Sequence, residues 1–428
     1  MRTYTYCLAA ASRLLGVLII GFSFASIANA QVLTPAVAVE KTLLHSPALQ
    51  SFPYQQRAIE ADVIQAGLKP NPTLHADLEN VFGTGNSRFL SGAELTLSLS
   101  QLIEMGDKRQ QRINVANARM PALQQQYEVQ RLDVVAQTLR HFYQALRLDA
   151  LLEWNQQRIK QEQAALNVIE FRADAGAVGT ADVLRMQLRL ARSENQQKQL
   201  RNERQLAYQK LAANWAGTVD FDALTGELAV LPAVPETATL NEAISQTPAY
   251  LQVHALSRLR EAQISLAEAQ AEADITVGAG VRRLEGVNDN ALVFSFSMPL
   301  QFHNRNQGNI ARANAEYQQE LQAMQLTVTQ IELALAEIRI AMQNNLALSQ
   351  SLKNDLQPIA KALLDSTAEG YELGQYSVLQ WVDAQSELFA VERELIEAQT
   401  AVHLQMLELE RLTGNVLSQS SASNDLQE

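Results

Sequence analysis

The sequence is poor in cysteine, glycine and proline. Cys7 is the only cysteine among 428 residues, and it lies in the N-terminal segment that we expect to be removed. The remaining chain therefore has neither a disulfide nor a thiolate metal site. With only 18 Gly and 11 Pro, a disordered or turn-rich architecture is excluded, and the abundant Ala, Leu, Gln and Glu favour long helices. No apolar run of about 20 residues follows residue 30, which excludes a bundle of membrane-spanning helices.

Basic residues are also scarce. The 34 Lys and Arg face 46 Asp and Glu, for a formal charge of −12, whereas nucleic-acid-binding proteins present a basic surface. The six His residues are scattered without ligand spacing, and no nucleophile or paired-acid motif occurs. We therefore predict no enzyme activity, no cofactor, no metal site and no nucleic-acid partner.

The N-terminus predicts a secretory signal peptide over residues 1–30. Arg2 and Arg13 precede the apolar stretch Leu14 to Ile27, which is followed by Ala28-Asn29-Ala30. A basic start, a short apolar core and small residues at an A-x-A site are typical of a cleaved signal. We expect cleavage before Gln31 and export from the cytoplasm.

The chain contains an internal duplication. Ile113 recurs as Ile310, 197 residues later, and Gly176 recurs as Gly374, 198 residues later. Other matches keep the same order: Ser46-Pro47-Ala48 with Thr247-Pro248-Ala249, Leu97 to Ser100 with Phe294 to Ser297, and Gln187 with Gln385. We predict a tandem repeat. Its parts are a first repeat (31–217), with a β-hairpin at 72–103 and a helical hairpin at 106–216, a linker (218–239), a second repeat (240–414), with a β-hairpin at 273–301 and a helical hairpin at 306–414, and a flexible tail (415–428).

The four predicted strands alternate apolar with polar residues. Each is about ten residues long, which is the length of a tilted strand that crosses a bilayer. The polar side carries Asp77, Glu79, Glu94 and Arg282, which suits a water-filled lumen. Four strands cannot close a barrel, and open edges in lipid leave backbone groups unpaired. Three chains would supply twelve strands, with the long helices extending the barrel into a periplasmic tunnel. A periplasmic sheet-plus-coiled-coil protein is the alternative.

Several segments resemble the TolC-like outer-membrane efflux proteins over essentially the whole chain after residue 30. Asn71-Pro72, Glu79 to Gly83 and Gln101 to Arg109 are similar to the CzcC-type branch. The resemblance implies a homotrimer in outer-membrane lipid. It also implies a periplasmic adaptor and an inner-membrane pump of the resistance-nodulation-division type as partners. Heavy-metal cations are the usual substrates of that branch.

In this family the helix–helix turns narrow the periplasmic end, and an acidic ring there would favour cations. The second turn, Tyr371 to Gln385, resembles the family pattern Y-x-x-G followed by two acids. Asp383 matches the second acid and Gln380 replaces the first, with Glu387 one turn further along. Gly374 and Gly176 mark the two tip turns.

The family pattern also joins an acid of the first turn to the tyrosine and to an arginine of the second turn. Asp182 and Tyr371 match, but Tyr376 occupies the arginine position. At offset 198, Arg185 corresponds to Asp383 and Arg189 to Glu387. We therefore hypothesise that Arg185 and Arg189 pair with these acids across adjacent hairpins.

We predict the exit duct of a tripartite efflux system, located in the outer membrane with a large periplasmic extension. A duct of the same fold for organic compounds or for secretion is an alternative. A periplasmic coiled-coil adaptor protein belongs to a different class, but it would not carry duplicated hairpins and four amphipathic strands.

Overall fold

A computed structural model describes residues 32–415, so the predicted signal peptide and nearly all of the predicted tail lie outside the described residues. Long helices and one four-stranded sheet make up most of this part. The strands are β1 (Val32–Leu33), β2 (Thr73–Glu79), β3 (Glu94–Ile103), β4 (Ala223–Leu224), β5 (Ile275–Leu284) and β6 (Asp289–Ser297). The helices are α1 (Pro35–His45), α2 (Pro47–Gln50), α3 (Phe52–Ala66), α4 (Lys108–Asp174), α5 (Thr180–Ala213), α6 (Thr237–Ala243), α7 (Pro248–Ala269), α8 (Gln307–Ser351), α9 (Gln357–Glu372) and α10 (Val378–Thr413). The predicted mainly helical fold with a small β part and a tandem repeat is confirmed.

The main sheet joins the two repeats through their hairpins. Its strand order is β2-β3-β5-β6, and every neighbouring pair is antiparallel. Within residues 32–415, β2 and β6 each pair on one side only, so the sheet has two open edges. β2 ends at Glu79, before the end of the predicted alternation, because Asn80 and Phe82 adopt positive φ angles of 56° and 53°.

The register places apolar side chains on one face of this sheet and polar side chains on the other. Two cross-strand rows form the apolar face: Leu74, Leu99, Ala279 and Phe294, then Ala76, Leu97, Val281 and Leu292. Leu74 is 72% exposed and Phe294 is 78% exposed. Apolar side chains that occupy a whole face without cover in one protomer require a partner surface or lipid.

The polar face is the crowded side of the sheet. A Cβ atom added to Gly280 would lie 2.5 Å from the Leu97 carbonyl oxygen and 2.6 Å from Ser98 Cβ. Such crowding is expected on the concave side of a curled sheet, where side chains converge. In β3 the polar face is also the less exposed one, since Thr96 is buried whereas Leu95 and Leu97 are exposed. Closure into a twelve-stranded barrel stays a prediction.

Within residues 32–415, the helices run as extended hairpins and share no single central core. α4 has 67 residues, which corresponds to a length on the order of 100 Å. It packs along α5, α7 and α10, and α10 also packs along α8 and α9. Separate apolar clusters follow the helices, as around Phe142 and Leu211, around Met342 and Val402, and around Trp154 and Phe389. No helix within residues 32–415 is long and apolar enough to cross a membrane.

The two long helices that follow the hairpins begin in the same way. Asp107 precedes α4 with φ 55°, and Asn306 precedes α8 with φ 59°. Next to the first of these turns, Lys108 donates from Nζ to Asp274 Oδ1 at 2.6 Å and to the Glu272 carbonyl at 2.7 Å. This buried contact fixes the start of α4 to the strand entry of the second repeat.

A π-helical turn separates α8 from α9. It covers Leu352–Leu356, and beyond it the buried positions shift by one residue. A heptad continued from Leu352 would bury Ile359, but Ile359 is 65% exposed and Ala360 is buried. A π turn holds one residue more than an α turn. The turn therefore accounts for the change in repeat offset, from 197 before it to 198 after it.

Candidate functional site

The two tip turns lie side by side and form one packed unit. Gly176 follows α4 with φ 75°, and Gly374 follows α9 with φ 74°. An apolar cluster combines side chains of both hairpins: Ile169 and Met186 from the first with Tyr371, Val378 and Val382 from the second. The structure thus brings together the two segments that the sequence predicts to be tip turns.

Arg172, in the last turn of α4, is bound to the end of α9. Its guanidinium donates to the Tyr371 carbonyl at 2.8 Å and to the Glu372 carbonyl at 3.1 Å. Arg172 Cζ also lies 4.3 Å from the centre of the Tyr371 ring. The last carbonyls of a helix lack intrahelical partners and carry partial negative charge, so a cation stabilises them. Arg172 was not selected from the sequence, because a basic residue in the last turn of a helix is expected to bind the carbonyls of its own helix, whereas Arg172 binds those of α9.

Tyr371 is buried between the hairpins. Its ring stacks on Trp381 with centroids 5.0 Å apart and an interplanar angle of 19°. Within residues 32–415 of one protomer, the buried Tyr371 hydroxyl has no hydrogen-bond partner. Asp182, which the family pattern joins to this tyrosine, instead accepts a 3.3 Å hydrogen bond from Arg185. One protomer therefore does not form the Asp182–Tyr371 bond.

The two positions that depart from the family pattern have local roles in the second turn. The ring of Tyr376 lies directly over Gly370, where an added Cβ would overlap it. Gln380 accepts from the Ser377 backbone N–H at 2.9 Å, and the Ser377 hydroxyl accepts from the Gln380 N–H at 3.4 Å. This reciprocal capping box begins α10.

Asp383 and Glu387 are exposed on one face of α10, in line with Gln380. Val382 and Gln385 are buried on the other side of the helix. Among the described residues, no ion pair to Asp383 or Glu387 is formed within one protomer. The acids are therefore available to solvent or to a neighbouring chain.

Arg185 and Arg189 have different environments. Arg185 is exposed and pairs with Asp182 on its own helix. Arg189 is half-buried: it donates to Ser386 Oγ at 2.6 Å and lies 3.7 Å from Glu162. Burial lowers the pKa of Arg189, while Glu162 and Asp383 act in the opposite direction. The hairpins of one protomer, within residues 32–415, form no ion pair between these arginines and Asp383 or Glu387. Pairing across adjacent hairpins of different protomers stays a prediction.

The polar face of the sheet holds a second group of charges. Arg282 donates to Thr96 Oγ1 at 2.9 Å and to Glu94 Oε2 at 3.0 Å, and it lies 3.5 Å from Glu79. Asp77 lies on the same face and, in the described part of the chain, has no ion-pair partner. One guanidinium therefore faces three carboxylates, which leaves this face acidic.

No grouping of three or more His, Cys, Asp or Glu side chains in residues 32–415 could hold a metal ion. The charges described above are spread along a helix face and a sheet face. This arrangement can attract and pass cations, but it does not enclose one.

Two relatives come from Cupriavidus metallidurans. The cobalt-zinc-cadmium resistance protein CzcC is 27% identical over 341 residues, which cover 77% of this chain and 78% of that protein. The nickel and cobalt resistance protein CnrC is 27% identical over 278 residues, which cover 64% and 65% of the two chains.

The solved structure of the outer membrane protein VceC from Vibrio cholerae superposes with a TM-score of 0.73. The superposition covers 90% of this chain and 96% of VceC, with 17% sequence identity. At this low identity, the similarity establishes the fold alone. The family model for outer membrane efflux proteins matches residues 38–217 and 239–415, that is, both repeats. Because the match extends over most of the sequence and both of its repeats, the chain belongs to the outer membrane efflux protein family.

Proposed function

We propose that this protein is the outer-membrane exit duct of a tripartite efflux system that exports heavy-metal cations. The observation that carries the duct is the four-stranded sheet, which has an exposed apolar face, an acidic face and two open edges. The apolar face is unfavourable in water, and the unpaired backbone groups at the two edges are unfavourable in lipid. Both problems are removed when copies of the sheet join edge to edge.

A homotrimer is the assembly that fits these edges. Three copies supply twelve antiparallel strands, an even number that closes a barrel with a lumen. The apolar rows containing Leu97 and Phe294 would then face lipid, and the row containing Arg282 and Glu94 would face water. The helices would extend the passage by on the order of 100 Å into the periplasm.

The names of the relatives support heavy-metal cations as the substrate. CzcC is a cobalt-zinc-cadmium resistance protein and CnrC a nickel and cobalt resistance protein. The charge distribution agrees, since Asp383 and Glu387 at the tip and Asp77 on the sheet are acidic and exposed. Threefold repetition would convert each into a ring, and acidic rings favour cations.

The partners follow from the role of an exit duct. A passive channel needs a pump in the inner membrane, and we propose one of the resistance-nodulation-division type. A periplasmic adaptor would join the pump to the tip formed by the turns at Gly176 and Gly374. The protein itself would supply the passage and no chemical step.

A deletion strain of the source bacterium tests the proposal. Loss of this protein should lower tolerance to cobalt, zinc, cadmium or nickel, and the full-length gene should restore it. Asp383→Asn and Glu387→Gln together should reduce the cation preference of the purified trimer, measured as the reversal potential across a planar bilayer in a salt gradient. Glu153→Gln removes one exposed charge from α4 and serves as the control.

Two results would contradict the proposal. A monomer in the soluble periplasmic fraction would exclude the duct. If the deletion left metal tolerance unchanged and increased sensitivity to organic compounds, the function as a duct would stand, and organic compounds would replace heavy metals as the substrate.

A further inference from the structure

A buried cluster of charges joins three helices just above the tip. The side chain of Glu162, on α4, is fully buried. Arg158, one turn earlier, donates from Nε to Glu162 Oε1 at 2.9 Å. Arg189, on α5, places its Nε 3.7 Å from the same oxygen, beyond hydrogen-bond distance. Since a buried carboxylate is costly without a cation, the two arginines permit Glu162 to be buried here.

Arg189 also binds α10, the helix that follows the second tip turn. Its Nη2 donates to Ser386 Oγ at 2.6 Å, and its Nη1 donates to the Val382 carbonyl at 3.3 Å. The Ser386 hydroxyl in turn donates to the same carbonyl at 2.7 Å. These contacts connect α5 to the first part of α10, close to the exposed acid Asp383.

Two atoms of the cluster are left without a hydrogen bond. Glu162 Oε2 and Arg189 Nε are both buried, and neither has a partner in the described part of the chain. Buried polar groups are nearly always paired, so two unpaired groups on adjacent, oppositely charged side chains require an explanation. An arginine binds a carboxylate best through two parallel N–H groups, and these two atoms would complete such a pair. In the observed arrangement, the Nη groups of Arg189 are bound to α10 instead.

We infer that Glu162 and α10 compete for the guanidinium of Arg189, and that this exchange sets how readily α10 moves away from α4 and α5 at the tip. The inference rests on the proposed function as a channel. While α10 stays in place, Arg189 is bound to Ser386 and Val382. When α10 moves away, Arg189 turns into a two-bond pair with Glu162, and that pair offsets the contacts that are lost. Glu162 is thus a positioning residue that favours opening, and Ser386 favours closure.

The second repeat has no equivalent of this cluster. At offset 198, Arg158 and Glu162 correspond to Leu356 and Ala360, and Arg189 corresponds to Glu387. The exchange therefore occurs once per chain and acts on α10 from one side. A trimer would contain three such exchanges, so the effect of each contact on opening is repeated three times.

Two substitutions with opposite expected effects test the inference. Ser386→Ala removes the shorter of the two hydrogen bonds between Arg189 and α10 and should raise the single-channel conductance of the purified trimer in planar bilayers. Glu162→Gln removes the competing charge, leaves Arg189 bound to α10 and should lower the conductance. We expect each change to be on the order of tenfold, the lower limit for one hydrogen bond to a charged group. A purely structural role would predict that both variants loosen the tip and raise the conductance.

Matched controls are available on the same helices. Thr400→Val removes a hydroxyl that, like that of Ser386, bonds back to α10, but it lies away from Arg189. Glu153→Gln makes the same charge change as Glu162→Gln at an exposed position of α4. Both controls should conduct like the parent protein.

Conductance changes of the same sign in Ser386→Ala and Glu162→Gln would overturn the inference while leaving the channel function intact. A parent trimer that does not conduct would overturn the proposed function as well. If Glu162→Gln does not form heat-resistant trimers, the conductance of Glu162→Asp is measured in its place. It keeps the charge but shortens its reach, so it should lower the conductance less, and an increase would overturn the inference.

Discussion

The guanidinium of Arg172 binds the backbone carbonyl of Tyr371 and lies over the ring of the same residue. One side chain of the first repeat therefore holds both the main chain and the aromatic ring at the end of the second repeat's helix. In the family pattern, an arginine of the second turn makes the ionic link, but that position is Tyr376 here. Here the arginine that links the turns, Arg172, comes from the first turn and binds the second.

Replacing Arg172 should loosen the tip. Arg172→Gln removes two charge-assisted hydrogen bonds and the contact with the ring, which together stabilise the observed arrangement of the two turns by about 2 kcal/mol. We expect higher single-channel conductance in planar bilayers. Arg192→Gln, an exposed arginine on α5, should leave conductance unchanged. Equal conductance of the two variants would contradict a role for Arg172 in closure.

Gly370 should not tolerate a side chain. In Gly370→Ala the new methyl group overlaps the ring of Tyr376, so the ring or the turn must move, at a cost of about 1–3 kcal/mol. We expect a lower thermal unfolding temperature, with recovery in the double variant Gly370→Ala, Tyr376→Ser. Gly308→Ala, in α8, meets no atom within 4 Å and should be neutral or stabilising. Similar losses at both glycines would show that crowding by Tyr376 is not the cause.

Arg282 should limit the cation preference of the sheet's polar face. Arg282→Gln leaves Glu79, Glu94 and Asp77 without a nearby cation, so the local potential becomes more negative. The cation-to-anion permeability ratio should rise roughly two- to tenfold, measured from reversal potentials. Arg283→Gln makes the same charge change on the opposite face and should not alter the ratio. An equal rise in both variants would exclude a role for the polar face in selection.

Glu392, on α10, should give the protein a pH-dependent stability. Burial raises its pKa above the ordinary value of 4.5, partly opposed by a hydrogen bond with Gln357. The folded state thus binds the proton more tightly than the unfolded state. The resulting stabilisation is complete below pH 4.5 and is lost as the pH rises through the raised pKa. Glu392→Gln should therefore raise the unfolding temperature near pH 7.5 but not near pH 4.

Glu394→Gln is the matched control, since Glu394 is exposed on the same helix. Its unfolding temperature should follow that of the parent protein at both pH values. A Glu392→Gln variant with the same difference from the parent at pH 4 and pH 7.5 would show that burial of the charge is not responsible.

The strands were predictable because a period of two and turn residues are local signals. The repeat gave their order, and the register placed Asp77, Glu94 and Arg282 on one face as expected. The contacts of Arg172 and Glu162 were not predictable in this way. They depend on how α4 packs against α9 and α5, and residues up to 200 positions apart leave no periodic pattern. The sequence showed only that Gln380 replaces an acid of the family pattern. Its role in capping α10 depends on the geometry of the turn.

The π turn at Leu352–Leu356 is a point between α8 and α9 where one residue can be lost without a change of helical phase. Elsewhere in α8 or α9, deletion of one residue would rotate everything beyond it by about 100° and expose the buried face. Deletion of Asn354, within the π turn, should instead restore a regular α-helix and leave the tip in phase. An aligned comparison of the long helices must therefore use an offset of 197 before this turn and 198 after it. The two repeats can then keep the same architecture although their long helices differ in length by one residue.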